Sequence, residues 1–169
     1  MSVTRHPLCS SDTLKHLDNI PLDAVLIQRL EESFRKLRAG SDLAERFYSR
    51  LFAAHPELRS MFPADMSEQK AKLLATLSMV IARLVAPGAV VPHLMELGKQ
   101  HAGFGVQPSH YPLVCDALVA AMSDAADGDP TAWSAELRAD WHEAISLVGE
   151  VMCAGGRQSL PSAADPAAV

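Results

Sequence analysis

Four side chains in this sequence combine chemical capability with an apolar helical setting: Tyr48, Phe62, Gln69 and His101. A neutral imidazole nitrogen at His101, pointing into an apolar slot, is a ligand for a transition metal. Its second nitrogen must then donate, and the carbonyl of Leu97, four residues back on the same helix, is the expected acceptor. Tyr48 offers a phenol O–H and Gln69 an amide N–H, both donors for a small polar ligand. Each residue also has a plainer reading. A lone His on an apolar helix face is more often a satisfied core residue. Tyr48 read plainly is a core aromatic with its hydroxyl on a backbone carbonyl. Gln69 is a solvated first-turn residue, and Phe62 a core anchor. No Ser/His/Asp set, glycine-rich phosphate loop, HExxH or CxxC motif competes with this constellation.

The elements that must position these residues are helices. Ile27, Leu30, Phe34 and Leu37 recur at helical spacing and predict a helix from about Leu22 to Ala39, ended by Gly40. Ser41 is placed to cap the next helix, whose apolar surface carries Phe47, Tyr48, Leu51 and Phe52 until Pro56 breaks it. Asp65, with Glu68 three residues on, predicts a capping box opening a third helix that Pro87 and Gly88 end. That helix has two apolar stripes, one with Gln69, Leu73, Thr76 and Val80, the other with Leu74, Leu77, Ile81 and Leu84. Such a helix is buried between layers or lines a cavity. A short helix opening at Pro92 places Leu94, Leu97 and His101 on one face, closed by Gly103 and Gly105. Another starts near Ser109 and is expected to bury Tyr111, Val114, Leu118 and Met122. Asp129 and Pro130 precede the last, with its stripe of Trp133, Leu137, Trp141, Ile145, Val148 and Met152. No period-2 pattern appears, so the fold class is all-α, with about six main helices.

The chain has 169 residues, 49% of them hydrophobic, and a formal net charge of -5. That composition fits one soluble domain and gives no basic surplus for nucleic acid or an anionic membrane. The expected organisation is an N-terminal extension over 1–21, a folded domain over 22–156 and a disordered tail over 157–169. The N-terminal stretch lacks the apolar run of a signal peptide, and no run is long enough to span a bilayer. Three widely spaced cysteines, Cys9, Cys115 and Cys153, suggest neither a disulfide framework nor a zinc motif. They read as reduced thiols of a cytoplasmic protein, Cys115 and Cys153 as small buried core residues.

The run Phe47–Leu58, FYSRLFAAHPEL, resembles the second and third helices of bacterial haemoglobins and of flavohaemoglobin globin domains. Gln69 with Lys72 and Leu73 is similar to that family's distal helix. Lys99–Val106, KQHAGFGV, followed by His110-Tyr111-Pro112, is similar to its proximal helix and the start of the next. The resemblance covers roughly residues 22 to 154. Each motif alone is weak, but all occur in order, with Gln69 and His101 separated by 32 positions. The resemblance implies a globin fold around one haem b. His101 is then the iron ligand, and Tyr48 and Gln69 are donors to bound oxygen. Phe62 packs on the porphyrin, and Leu73, Leu97 and Val106 line the pocket. Lys72 reaches a propionate, its plainer role being an exposed helix lysine. Histidines 6, 16, 55, 93, 110 and 142 have no such context.

Two departures from the family matter. In flavohaemoglobins the tyrosine matching Tyr111 joins a hydrogen-bonded set with the iron-bound His and a Glu of the last helix. Aligned on Trp141, that position here is Gly155 or Gly156, and Glu143 and Glu150 fall on other turns. This weakens the expectation of peroxidase-like activation and leaves Tyr111 open to a merely structural role. The sequence also lacks the flavin- and NAD-binding domains that follow in flavohaemoglobins. The leading expectation is therefore reversible binding of oxygen, with carbon monoxide and nitric oxide as related ligands, for storage, transport or delivery. The alternatives are nitric oxide dioxygenation sustained by an external flavin reductase, and a haem-based gas sensor or interaction module.

Overall fold

The computed structural model describes residues 24–40, 42–84, 87–126, 129 and 132–158. Among the described residues there are six α-helices and no strand. They are α1 Ala24–Gly40, α2 Leu43–Ala54, α3 Ser67–Arg83, α4 Pro87–Gly103, α5 His110–Ala125 and α6 Ala135–Gln158. A 3-10 turn, Pro56–Met61, links α2 to α3. None of these helices is long and apolar enough to cross a membrane.

The apolar stripes decide which faces meet. On α1, Ile27, Leu30, Phe34 and Leu37 are all buried, as their spacing predicts. They face α3 and α6, and the Phe34 ring lies 6.1 Å from the Trp141 ring. Trp141 Nε1 donates to Ser33 Oγ at 3.0 Å, and that hydroxyl donates to Leu30 O, so these two buried polar groups are paired. α2 packs on α5, and α5 on α6. The ion pairs Arg50–Asp124 and Arg29 with Glu136 and Asp140 bridge these seams at the surface.

The most extensive seam is between α4 and α6, and glycine makes it. A Cβ on Gly98 would lie 1.8 Å from Met152 O, and one on Gly155 would lie 2.1 Å from Met95 O. The two backbones therefore touch, reciprocally, one turn before His101. Gly156 completes the contact against Ala102 and Gly98. Gly155 and Gly156 are buried and helical, so the last helix runs to Gln158, beyond the boundary expected at residue 156. Glycine weakens an isolated helix, but here its missing side chain is what lets the helices approach.

Several local expectations change. Pro87 does not end α3; it opens α4, where a first-turn proline sacrifices no hydrogen bond, and Pro92 lies inside that helix. α3 stops at Arg83 with Leu84 as its cap. The capping box is not formed: Met66 is the N-cap of α3, Asp65 accepts from Ser67 N at 2.9 Å, and Glu68 pairs with Lys72. α5 buries Leu118 and Met122, but Tyr111 and Val114 are only half-buried, while Cys115 and Val119 are fully so. Cys115 is a free buried thiol; Cys153 is buried but disulfide-bonded, so the reduced-thiol expectation fails there, since sequence spacing does not report spatial proximity. Leu22, Ser41, Cys9, Pro130, the first 23 residues and positions 159–169 lie outside the described residues.

Gly98→Ala should lower the unfolding free energy by about 1–3 kcal/mol or more, because backbone rather than a flexible side chain must move. Gly103, where an added Cβ meets nothing within 4 Å, should tolerate alanine to within about 0.5 kcal/mol. Urea midpoints of the two variants test this, and equal midpoints would contradict it.

Candidate functional site

His101 sits in the last turn of α4, half-buried. Its Nδ1 is 2.8 Å from Leu97 O, the acceptor expected from the spacing. A carbonyl can only accept, so Nδ1 carries a proton, and in the neutral imidazole Nε2 then keeps its lone pair. The backbone fixes the same turn from below. Gly105 adopts φ 84°, Gly105 N donates to Ala102 O at 3.0 Å and Val106 N donates to His101 O at 3.0 Å. This is a Schellman cap, and it needs a glycine at the left-handed position. His101 is thus held through its side chain by Leu97, through its carbonyl by Val106, and through its helix by the Gly98 contact with α6.

Tyr48 lies on α2 and is 4% exposed. Its hydroxyl is within hydrogen-bond reach of the Gln69 side chain, which comes from the first turn of α3. Burial pushes the Tyr48 phenol above its usual value, and the hydrogen bond from Gln69 partly offsets this. The phenol is therefore a neutral O–H donor at ordinary pH. The ring sits in an aromatic cluster, 5.6 Å from Phe62 and 4.7 Å from Phe47. The Lys70–Glu45 ion pair, next to Gln69, fastens the start of α3 to α2.

Phe62 caps the 3-10 turn, and its placement depends on a residue that sequence reasoning missed. Arg59 donates from Nη1 to Phe62 O at 3.1 Å and from Nη2 to Ala64 O at 3.2 Å. Its guanidinium also lies 5.3 Å from the centre of the Phe52 ring, itself 5.2 Å from Phe62. No sequence motif announces this, because the acceptors are backbone carbonyls. Leu73, Leu97, Val106 and Tyr111 are half-buried apolar groups, and α3 and α4 meet at few residues. Lys72 is exposed and pairs with Glu68 at 2.7 Å.

In the turns of α4 that flank His101, α6 makes its contact through glycines. Gly155 holds its backbone against Met95, leaving no room for a side chain, and Gly156 is tight, with an added Cβ 3.2 Å from Ala102 Cβ and from Gly98 O. Tyr111 packs against Gly149, where an added Cβ would stand 3.4 Å from its ring, and burial raises its phenol too. A groove of about 580 Å³ elsewhere, lined by Phe34, Arg38 and Ile81 among others, includes none of these residues.

The family model described as Globin matches residues 45–152. The chain belongs to the globin family. A flavohemoprotein from Bacillus subtilis (strain 168) is 30% identical over 114 residues, covering 66% of this chain and 28% of that protein. One from Rhizobium meliloti (strain 1021) is 28% identical over 116 residues, 67% of this chain and 28% of its own length. The chain thus spans less than a third of the curated relatives it matches. A bacterial globin from Campylobacter jejuni superposes with a TM-score of 0.69 at 21% identity, over 80% of this chain and 97% of that one. The all-α architecture is therefore a globin fold.

Both tyrosines of this globin have raised phenols, and it has only two. Phenolate absorbance in the folded protein should therefore appear only above about pH 10, and at about pH 10 once unfolded. As pH rises past that point the unfolded chain loses its phenol protons first, so folded stability should fall there. Tyr48→Phe should remove part of that loss. A folded-state phenol titrating at its ordinary value would contradict the burial argument.

Proposed function

We propose that this globin holds one haem b through His101 and binds oxygen reversibly. The observation that carries the reading is the engagement of His101 Nδ1: with its N–H donating to Leu97 O, Nε2 is the nitrogen free to ligate iron. The half-buried Phe62, Leu73, Leu97, Val106 and Tyr111 supply apolar surface suited to a flat apolar ring. Lys72 is exposed, and its pairing with Glu68 is weak enough to exchange for a haem propionate.

Bound ferrous haem supplies reversible affinity for oxygen, carbon monoxide and nitric oxide. The chain's residues tune it. Tyr48 and Gln69 bring an O–H and an N–H from two different helices to one place, and donors at that place favour the more polar ligand. The partner of His101 is a neutral carbonyl rather than a carboxylate, which leaves the imidazole less electron-rich. That favours a ligand that binds and leaves over cleavage of its O–O bond. An external flavin reductase is the partner this reading assigns for keeping iron ferrous.

Tyr48→Phe should speed oxygen dissociation by about one to two decades, the equivalent of a lost hydrogen bond of about 1.5–3 kcal/mol. Carbon monoxide dissociation should change much less. Stopped-flow measurement of both ligands checks this, and equal effects on the two would contradict a donor role for Tyr48.

A further inference from the structure

One cluster outside the pocket carries chemistry that oxygen binding leaves unused. Cys115 and Asp116 are consecutive on α5, and His142 faces them from α6. The Cys115 sulfur, an Asp116 carboxylate oxygen and a His142 ring nitrogen all lie within 4.8 Å of one another. His142 Nε2 is 3.3 Å from Asp116 Oδ1. We propose that Cys115, Asp116 and His142 form a zinc(II) site on the α5–α6 seam, with a fourth position for water.

The donor set argues for that metal. A thiolate, an imidazole and a carboxylate together suit zinc, whereas calcium and magnesium select oxygen donors alone. With bonds of about 2.0–2.3 Å, tetrahedral zinc holds its ligand atoms roughly 3.3–3.6 Å apart. The His142–Asp116 edge already has that length, and the two edges to sulfur need only a modest contraction. The side chains able to make it are free to turn, since those of His142 and Asp116 are 53% and 72% exposed. The sulfur is the fixed point, because Cys115 is 3% exposed. Among the described residues its hydrogen-bonding contacts are long, 3.7 Å to His142 O and 3.5 Å to Ser146 Oγ, so coordination displaces little. On binding, the thiol proton passes to water and the sulfur lone pair bonds the metal. The site does not depend on haem, and its test is separate from that of oxygen binding.

The test is zinc binding to the full-length, haem-loaded protein at stoichiometric zinc(II), followed by X-ray absorption at the zinc edge. The expected result is one zinc per chain with a single sulfur neighbour at about 2.3 Å. His142→Ala, a surface change that leaves the core intact, should weaken binding at least tenfold. Cys115→Ser should remove the sulfur neighbour. Failure to bind zinc, zinc held without sulfur, or equal affinity in His142→Ala would each overturn the proposal.

Discussion

The contact on which the site depends is backbone against backbone. α4 and α6 meet through Gly98 and Gly155, each placed where a methyl group would strike the other helix's carbonyl. Two helices at that separation have little freedom to slide, because interiors at crystal-like density resist displacement. His101 stands one turn along from this contact. Its helix ends in a Schellman cap two residues later, and its imidazole is tied to Leu97. The position and the tautomer of the key histidine are thus set by packing and backbone geometry.

The same contact shapes the chemistry by exclusion. Gly155 has no room for a side chain, so at that point α6 offers backbone and no carboxylate to α4, and the observed partner of the His101 ring is the Leu97 carbonyl. What remains is a carbonyl acceptor behind the histidine and, from α2 and α3, a buried neutral phenol near an amide. Both features are the ones on which the proposed reversible binding of oxygen rests. The aromatic cluster around Tyr48 is in turn held by Arg59, whose guanidinium joins the Phe62 turn to the Phe52 ring.

Much of this was legible because helical periodicity is local. The buried stripe of α1, the Tyr48 face of α2 and the pairing of His101 with Leu97 all follow from residues three or four apart. Features decided by tertiary contact were not. Gly155 and Gly156 have little helical preference of their own, and only the approach of α4 shows why the helix continues through them. Pro87 and Pro92 both suit a first turn, and the helix that opens at Pro87 carries Pro92 in its interior at the cost of one backbone hydrogen bond, a choice that local sequence does not make. Tyr111 and Val114 have the spacing of core residues but stand half-exposed. The grouping of Cys115 and Asp116 with His142 joins positions 26 residues apart and has no motif.

The most direct measurement is the ultraviolet–visible spectrum of the ferrous protein after hemin titration, for the parent chain and for His101→Ala. The account predicts uptake of one haem per chain, a five-coordinate ferrous spectrum that shifts with oxygen or carbon monoxide, and loss of that spectrum in the variant. An unchanged spectrum in His101→Ala, or no stoichiometric uptake by the parent, would contradict it.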